Sequence, residues 1–299
     1  MSDRLIVSLP EKDNEFQLLQ TADAEATARR LGLDLEVVHA SNNAVLQIQQ
    51  LFKFIHAEER PKALIVEPVA IDGMERVAQK AALAGIGWAI LNCTVGYLDG
   101  LRQQFPSLPI FALGSDQVEI GRIQGRQLKT LLPAGGIVLY IQGPRSATAA
   151  RERLKGMQES IAGCNINTIV LDGQWTEESA EQALRHWLRL KTSDNMRIDV
   201  VAAQDDSMAR GARRAIEAVP ELAKRWAEVP FLGIDGVPEV GQKLVKSGQL
   251  TATIIMPSNT GPAVEAVAGW LRSGRLPPAS LRMAVQSYPE EGALVGAPR

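Results

Sequence analysis

The chain has 299 residues, 45% hydrophobic, 22% charged and 5% aromatic. That is globular composition, long enough for two domains at roughly 150 residues each, and it excludes wholesale disorder. Lys plus Arg total 32 and Asp plus Glu 34, so a net charge of −2 and a pI near 6.0 give no electrostatic footing for nucleic acid.

Two cysteines, Cys93 and Cys164, and three histidines, His39, His56 and His186, lie scattered. They form neither a disulfide framework nor a metal-ligand spacing, and no metal or cofactor is expected. No apolar run reaches about 18 residues, so no membrane insertion is expected. Residues 1–4 run straight into Leu5-Ile6-Val7 without a basic stretch or a long apolar segment, so no secretory signal is read in the sequence as written. The compartment stays open: cytoplasmic if the sequence is complete as given, periplasmic if a leader was removed.

Short apolar runs alternate with amphipathic stretches. Residues 5–9 predict a buried strand. In 14–31, Phe16, Leu19, Ala22 and Ala26 recur every three or four residues, which predicts a helix ended by Gly32. Strands follow at 33–39, 63–66, 88–91 and 110–113, with helices over 43–56 and 72–83 between them. The second half repeats the rhythm: strands at 137–141, 168–171, 200–203, 230–234 and 252–256, and helices over 118–132, 148–161, 177–190, 207–219 and 238–245. A helix over 260–271 and a short strand near 283–285 come last, and residues 289–299 are expected on the surface. Near-continuous Val, Ile, Leu and Ala strands separated by helices predict parallel sheets covered on both faces, an α/β fold of two similar lobes.

Ligands of open parallel sheets bind beyond the carboxyl ends of the strands. The residues there are mostly hydrogen-bonding: Asn14, Phe16 and Gln17 after the first strand, Glu67 after the third, Asn92 and Cys93 after the fourth. In the second half, residues 142–146 lead to Arg151, and Trp175, Gln204, Asp205, Asp206, Asp235 and Met256 to Asn259 follow later strands. Sugar hydroxyls suit carboxylates, amides and a guanidinium, and sugar C–H faces suit Phe16 and Trp175. The plainer reading is helix capping, with Asp206 or Ser207 capping the helix that starts near Met208. Pro10-Glu11-Lys12-Asp13 replaces a glycine-rich turn after the first strand, and Walker, nucleophile-elbow and paired-histidine motifs are missing.

The stretches Gly114–Gly121, Ile141-Gln-Gly-Pro144 with Ala149–Arg153, Ala203–Gly211, Gly233-Ile-Asp-Gly236 and Ser247–Ile254, taken in order, resemble the type I periplasmic sugar-binding proteins, the ribose-binding protein family. Their fold is shared with the effector domains of LacI-type repressors. The resemblance implies two Rossmann-like lobes joined by a three-crossover hinge, with crossings near Ser115-Asp116, Met256-Pro257 and Val285. The N-terminal lobe would be 1–115 plus 257–284, and the C-terminal lobe 116–256 plus 285–299. It also implies a small polar ligand between the lobes, held by Asn14, Phe16, Arg151, Trp175 and Asp235. Five positions depart from the family pattern: Gln17 for a second aromatic, Glu67 for asparagine, Asn92-Cys93 for Asp-Arg, Asp205 for asparagine and Met256 for glutamine. Glu67, Asn92 and Asp205 are kept as ligand residues, and the more acidic set suggests a ligand other than ribose, such as another sugar, a polyol or an amino-bearing molecule.

The leading expectation is a solute-binding protein that serves an ABC permease or a sensor. The alternative is a cytoplasmic LacI-like ligand-sensing domain lacking a DNA-binding headpiece. A third reading, an enzyme using Asp205 and Asp235 as an acid–base pair, lacks any accompanying nucleophile, metal set or cofactor loop.

Overall fold

The computed structural model describes residues 3–190 and 196–294. The chain forms two compact units, one of residues 1–116 and 258–283, the other of 117–257 and 284–299, so the backbone passes between them three times.

The first unit has a parallel six-stranded sheet. Its strands are β1 (Arg4–Leu9), β2 (Asp34–His39), β3 (Ala63–Val66), β4 (Gly87–Leu91), β5 (Ile110–Ser115) and β11 (Ser280–Met283), in the order β11-β5-β4-β3-β1-β2. The helices α1 (Glu15–Leu31) and α11 (Thr260–Ser273) cover one face over Leu5, Val7, Ile65 and Phe111. The other face packs Ile6, Leu64, Trp88 and Ile90 under α2 (Ala44–Ile55), α3 (Met74–Leu83) and α4 (Leu98–Gln104). Strands buried on both faces explain the unbroken apolar runs. Each fully buried side chain of this size contributes roughly 1.5–3 kcal/mol.

The second unit orders β7 (Ile166–Asp172), β6 (Gly136–Gln142), β8 (Val200–Ala203) and β9 (Phe231–Leu232) as a parallel sheet. Single bridges join β9 and its following turn to the region of β10 (Thr253–Ile255), which pairs antiparallel with β12 (Gln286–Tyr288). Here α5 (Gln117–Leu131) and α6 (Thr148–Ile161) cover one face, and α7 (Glu177–Leu188), α8 (Asp206–Glu217), α9 (Pro220–Arg225) and α10 (Gly241–Lys246) the other.

Local chemistry sets most boundaries. Asn14 caps α1 by accepting from the Phe16 and Gln17 amides, and Gly32 ends it at φ 69°. The helix expected from residue 72 starts at Met74, because Gly73 sits at φ 82°, outside helical space. Residues 98–104 and 220–225 form α4 and α9, which no periodicity predicts: six or seven residues are too few to show a helical stripe. The strand expected near 283–285 divides into β11 and β12, one in each unit. The tail expected on the surface is partly anchored: Leu294 is buried, and Arg126 holds Glu291 at 2.9 Å. Residues 295–299 lie outside the described chain. Among the described residues no helix is long and apolar enough to cross a membrane.

His39, at the end of β2, meets Thr21 Oγ1 through Nε2 at 3.2 Å. Partial burial holds its pKa below the ordinary 6.5; Glu11 and Asp13 pull it upward and Lys12 downward. The folded state therefore binds fewer protons than the unfolded state near that pH. Stability is full above about pH 6.5 and falls as the pH drops below it. Denaturant midpoints measured down through this window should fall more for the wild type than for His39→Gln. Parallel curves for the two proteins would contradict this.

Candidate functional site

In the first unit the sheet switches direction between β1 and β3: the helix after β1 lies on one face and the helix after β3 on the other. A crevice opens at such a switch, at the carboxyl edge of the strands. Glu67 follows β3 there, its amide bonded to Ser8 O at 2.9 Å. Gln47 fixes the next peptide, donating to Glu67 O at 2.8 Å and to Ser8 Oγ at 3.1 Å while accepting from Val69 N. Three neutral amides donate to the Glu67 carboxylate: Gln17 and Gln20 to Oε2, each at 3.3 Å, and Asn92 to Oε1 at 3.0 Å. Asn92 in turn accepts from Asn259 Nδ2. Gln20 Oε1 accepts from Ser258 Oγ and from the amides of Asn259 and Thr260, tying the start of α11 to α1.

Asn92 stands at φ 54°, and Gly114 on β5 makes room for it: a Cβ there would fall 2.8 Å from Asn92 N. Phe16 is buried, and the Asn14 oxygen accepts from the backbone amides of its own helix. Of the first-unit residues selected from sequence, the structure joins Glu67 and Asn92 in one network and gives Asn14 a capping bond. Gln17 and Asn259, also among the strand-end residues, belong to that network; Gln20 was missed, because the contact between α1 and α11 spans nearly the whole chain.

The second unit has its own switch, between β6 and β8, with α6 and α8 on opposite faces. The two arginines of α6, Arg151 and Arg153, lie in different surroundings. Arg151 is exposed and donates to the carbonyls of Arg145 and Ser146, each at 2.8 Å, on the loop before its own helix. Arg153 is 6% exposed. It donates to Gln117 Oε1 at 2.8 Å, to Gln204 O, and to Met256 Sδ at 3.1 Å, all neutral acceptors. Its guanidinium lies 5.5 Å from the Trp175 ring centroid. The sequence did carry a signal for it: Ala150, Arg153, Met157 and Ile161 form the buried stripe of α6, and Arg151 falls off that stripe.

Trp175 sits at φ 61°, and its indole lies over Gly143, where a Cβ would come within 2.3 Å of the ring. Gln204 positions that loop: its Oε1 takes Gly143 N at 2.9 Å, and its Nε2 donates to Tyr140 Oη and Ala150 O. The expected cap of α8 shifts by one or two residues. Asp205, 2% exposed, accepts from Met208 N as the N-cap. Asp206 instead reaches across to Gly236 N at 2.8 Å and Thr253 Oγ1 at 2.6 Å. It thereby pins the turn carrying Asp235, which stands at φ 109° between backbone bonds to Ile254 and Met256.

Five non-glycine residues have positive φ among the described ones, and Asn92, Trp175 and Asp235 are three of them. Such conformations cost about 1–3 kcal/mol each and concentrate where structure serves function.

The description "Periplasmic binding protein domain" fits residues 5–261. The chain belongs to this family. It is 28% identical over 260 residues to the ribose import binding protein of Salmonella typhimurium, covering 87% of this chain and 81% of that one. It is 25% identical over 270 residues to a galactofuranose-binding protein of Escherichia coli, covering 89% and 81%. A solved Caulobacter myo-inositol binding protein, 23% identical, shares the fold with a TM-score of 0.81 over 98% of this chain and 94% of that one. The fold is therefore that of type I periplasmic binding proteins, and the chain is a solute-binding protein rather than an enzyme. The regulatory alternative finds no support among these relatives.

Proposed function

We propose that the protein captures a small polyhydroxy solute and presents it to the permease of an ABC importer. One observation carries the ligand class: Arg153, a buried cation whose hydrogen-bonded partners are all neutral, stands over the Trp175 indole. A buried guanidinium without a carboxylate calls for oxygen acceptors, and it has N–H groups beyond those its three acceptors engage. The indole supplies a flat apolar face beside them. Donors next to an aromatic plane match the hydroxyl edge and C–H face of a sugar or cyclic polyol.

Glu67 and Asn92 of the first unit and Arg153, Trp175 and Asp235 of the second are the residues assigned here to the ligand. Arg153 replaces Arg151 in that role. Asn14, Phe16 and Asp205 stay with the assignment as neighbours that place these groups, two of them by capping the helices on which Gln17 and Met208 sit. The ribose import binding protein and the galactofuranose-binding protein among the relatives support the ligand class, and the first of them the transport role.

Tryptophan fluorescence tests the assignment. Titration with ribose, arabinose, galactose, allose and myo-inositol should give a saturable change with at least one of them. Trp175→Phe should remove that change while leaving the fold intact. A saturable change that persists in Trp175→Phe would move the ligand away from this indole.

A further inference from the structure

We infer that the first unit selects a polyol carrying a protonated amine, with Glu67 setting that preference; this rests on the polyhydroxy-solute reading above. An ionised carboxylate can only accept, so Glu67 dictates the direction of each amide around it. Gln17 and Gln20 must turn Nε2 toward Oε2, and Asn92 must turn Nδ2 toward Oε1. Once Asn92 faces Glu67 with its nitrogen, its oxygen faces Asn259, which must then supply Nδ2.

The chain of amides therefore runs one way, and oxygens are left at its ends. Gln17 Oε1 and Asn259 Oδ1 are both buried without a hydrogen-bond partner. Gln17 is 8% exposed and Asn259 fully buried. Turning the Gln17 amide over gives no relief, since its oxygen would then meet the Glu67 carboxylate. Beside the Glu67 carboxylate the unit thus holds one more acceptor without a donor, the oxygen of Gln17. A hydroxyl brings a single donor and lone pairs that other acceptors repel. An ammonium brings several donors, no lone pair and a charge opposite to that of Glu67, which fits a carboxylate beside an unsatisfied oxygen.

Calorimetric titration of the wild-type protein, below neutral pH, decides the matter with matched pairs: myo-inositol against an amino-deoxyinositol, galactose against galactosamine, glucose against glucosamine. The amino member of the best-binding pair should bind at least about tenfold more tightly. Glu67→Gln should abolish or reverse that preference, because a neutral amide lets Gln17 and Asn92 reorient; its thermal melt checks that it folds. Equal or weaker binding of the amino member in every pair that binds overturns the inference while leaving the polyol reading in place. If no member of any pair binds, nor any neutral sugar, both fall.

Discussion

Arg153→Ala should abolish solute binding, lowering affinity at least about a hundredfold, and should destabilise the fold by roughly 3 kcal/mol. The two losses have one origin. The guanidinium joins α5 through Gln117, the end of β8 through Gln204 O, and the segment after β10 through Met256. Truncation leaves Gln117 Oε1 and Gln204 O buried without this donor, removes the cation above Trp175, and opens a cavity at a site only 6% exposed. Arg151→Ala, two residues earlier, should change stability by less than about 0.5 kcal/mol and affinity by less than about twofold, because that side chain is exposed and bonds only residues within six positions of it, Arg145, Ser146 and Thr148. Arg153→Lys should resemble the alanine variant in binding, since an ammonium cannot reproduce the planar fork that reaches three acceptors beside the indole. Denaturant melts and titrations on the three variants check this. Lost binding in Arg151→Ala with binding kept in Arg153→Ala would contradict the assignment.

Gly156→Ala should destabilise the second unit by about 3 kcal/mol, a fall in Tm of roughly 5–10 °C. In a helix interior the exchange ordinarily gains about 1 kcal/mol from propensity, so the packing must overcome that gain. A Cβ at Gly156 would stand 1.9 Å from Val118 O, and one at Gly121 2.0 Å from Arg153 O. Both obstacles are backbone, which cannot rotate aside. The helices α5 and α6 thus touch main chain to main chain, and the second of these contacts is at Arg153 itself. Gly269→Ala on α11 is the control: nothing lies within 4 Å of the added carbon, and stability should rise slightly. Differential scanning calorimetry compares them, and an unchanged Tm in Gly156→Ala would show that the two helices can separate at little cost.

The sequence made the layered α/β architecture readable because strands covered on both faces need apolar residues at every position, as in Ala63–Val66 and Val200–Ala203. Short α4 and α9 escaped because a stripe needs two turns to appear. Around the site, residue types at strand ends were informative, and Glu67, Asn92, Trp175 and Asp235 all stand there. Side-chain direction was less so. Arg151 and Arg153 differ only in helical phase, and Asp205 and Asp206 exchange the roles of cap and long-range pin. The Gln17–Glu67–Asn92–Asn259 network depends on α11 returning to α1, which no local pattern encodes.

The most direct test of a polyhydroxy ligand is a thermal-shift screen of the purified protein against sugars, cyclic polyols and their amino derivatives. A ligand present at about a hundred times its Kd should stabilise the protein by about 2.7 kcal/mol, a rise of several degrees. The account predicts such a rise with at least one member of this set and its loss in Arg153→Ala. A flat response to every sugar and polyol, with stabilisation by an apolar or anionic compound instead, would contradict it.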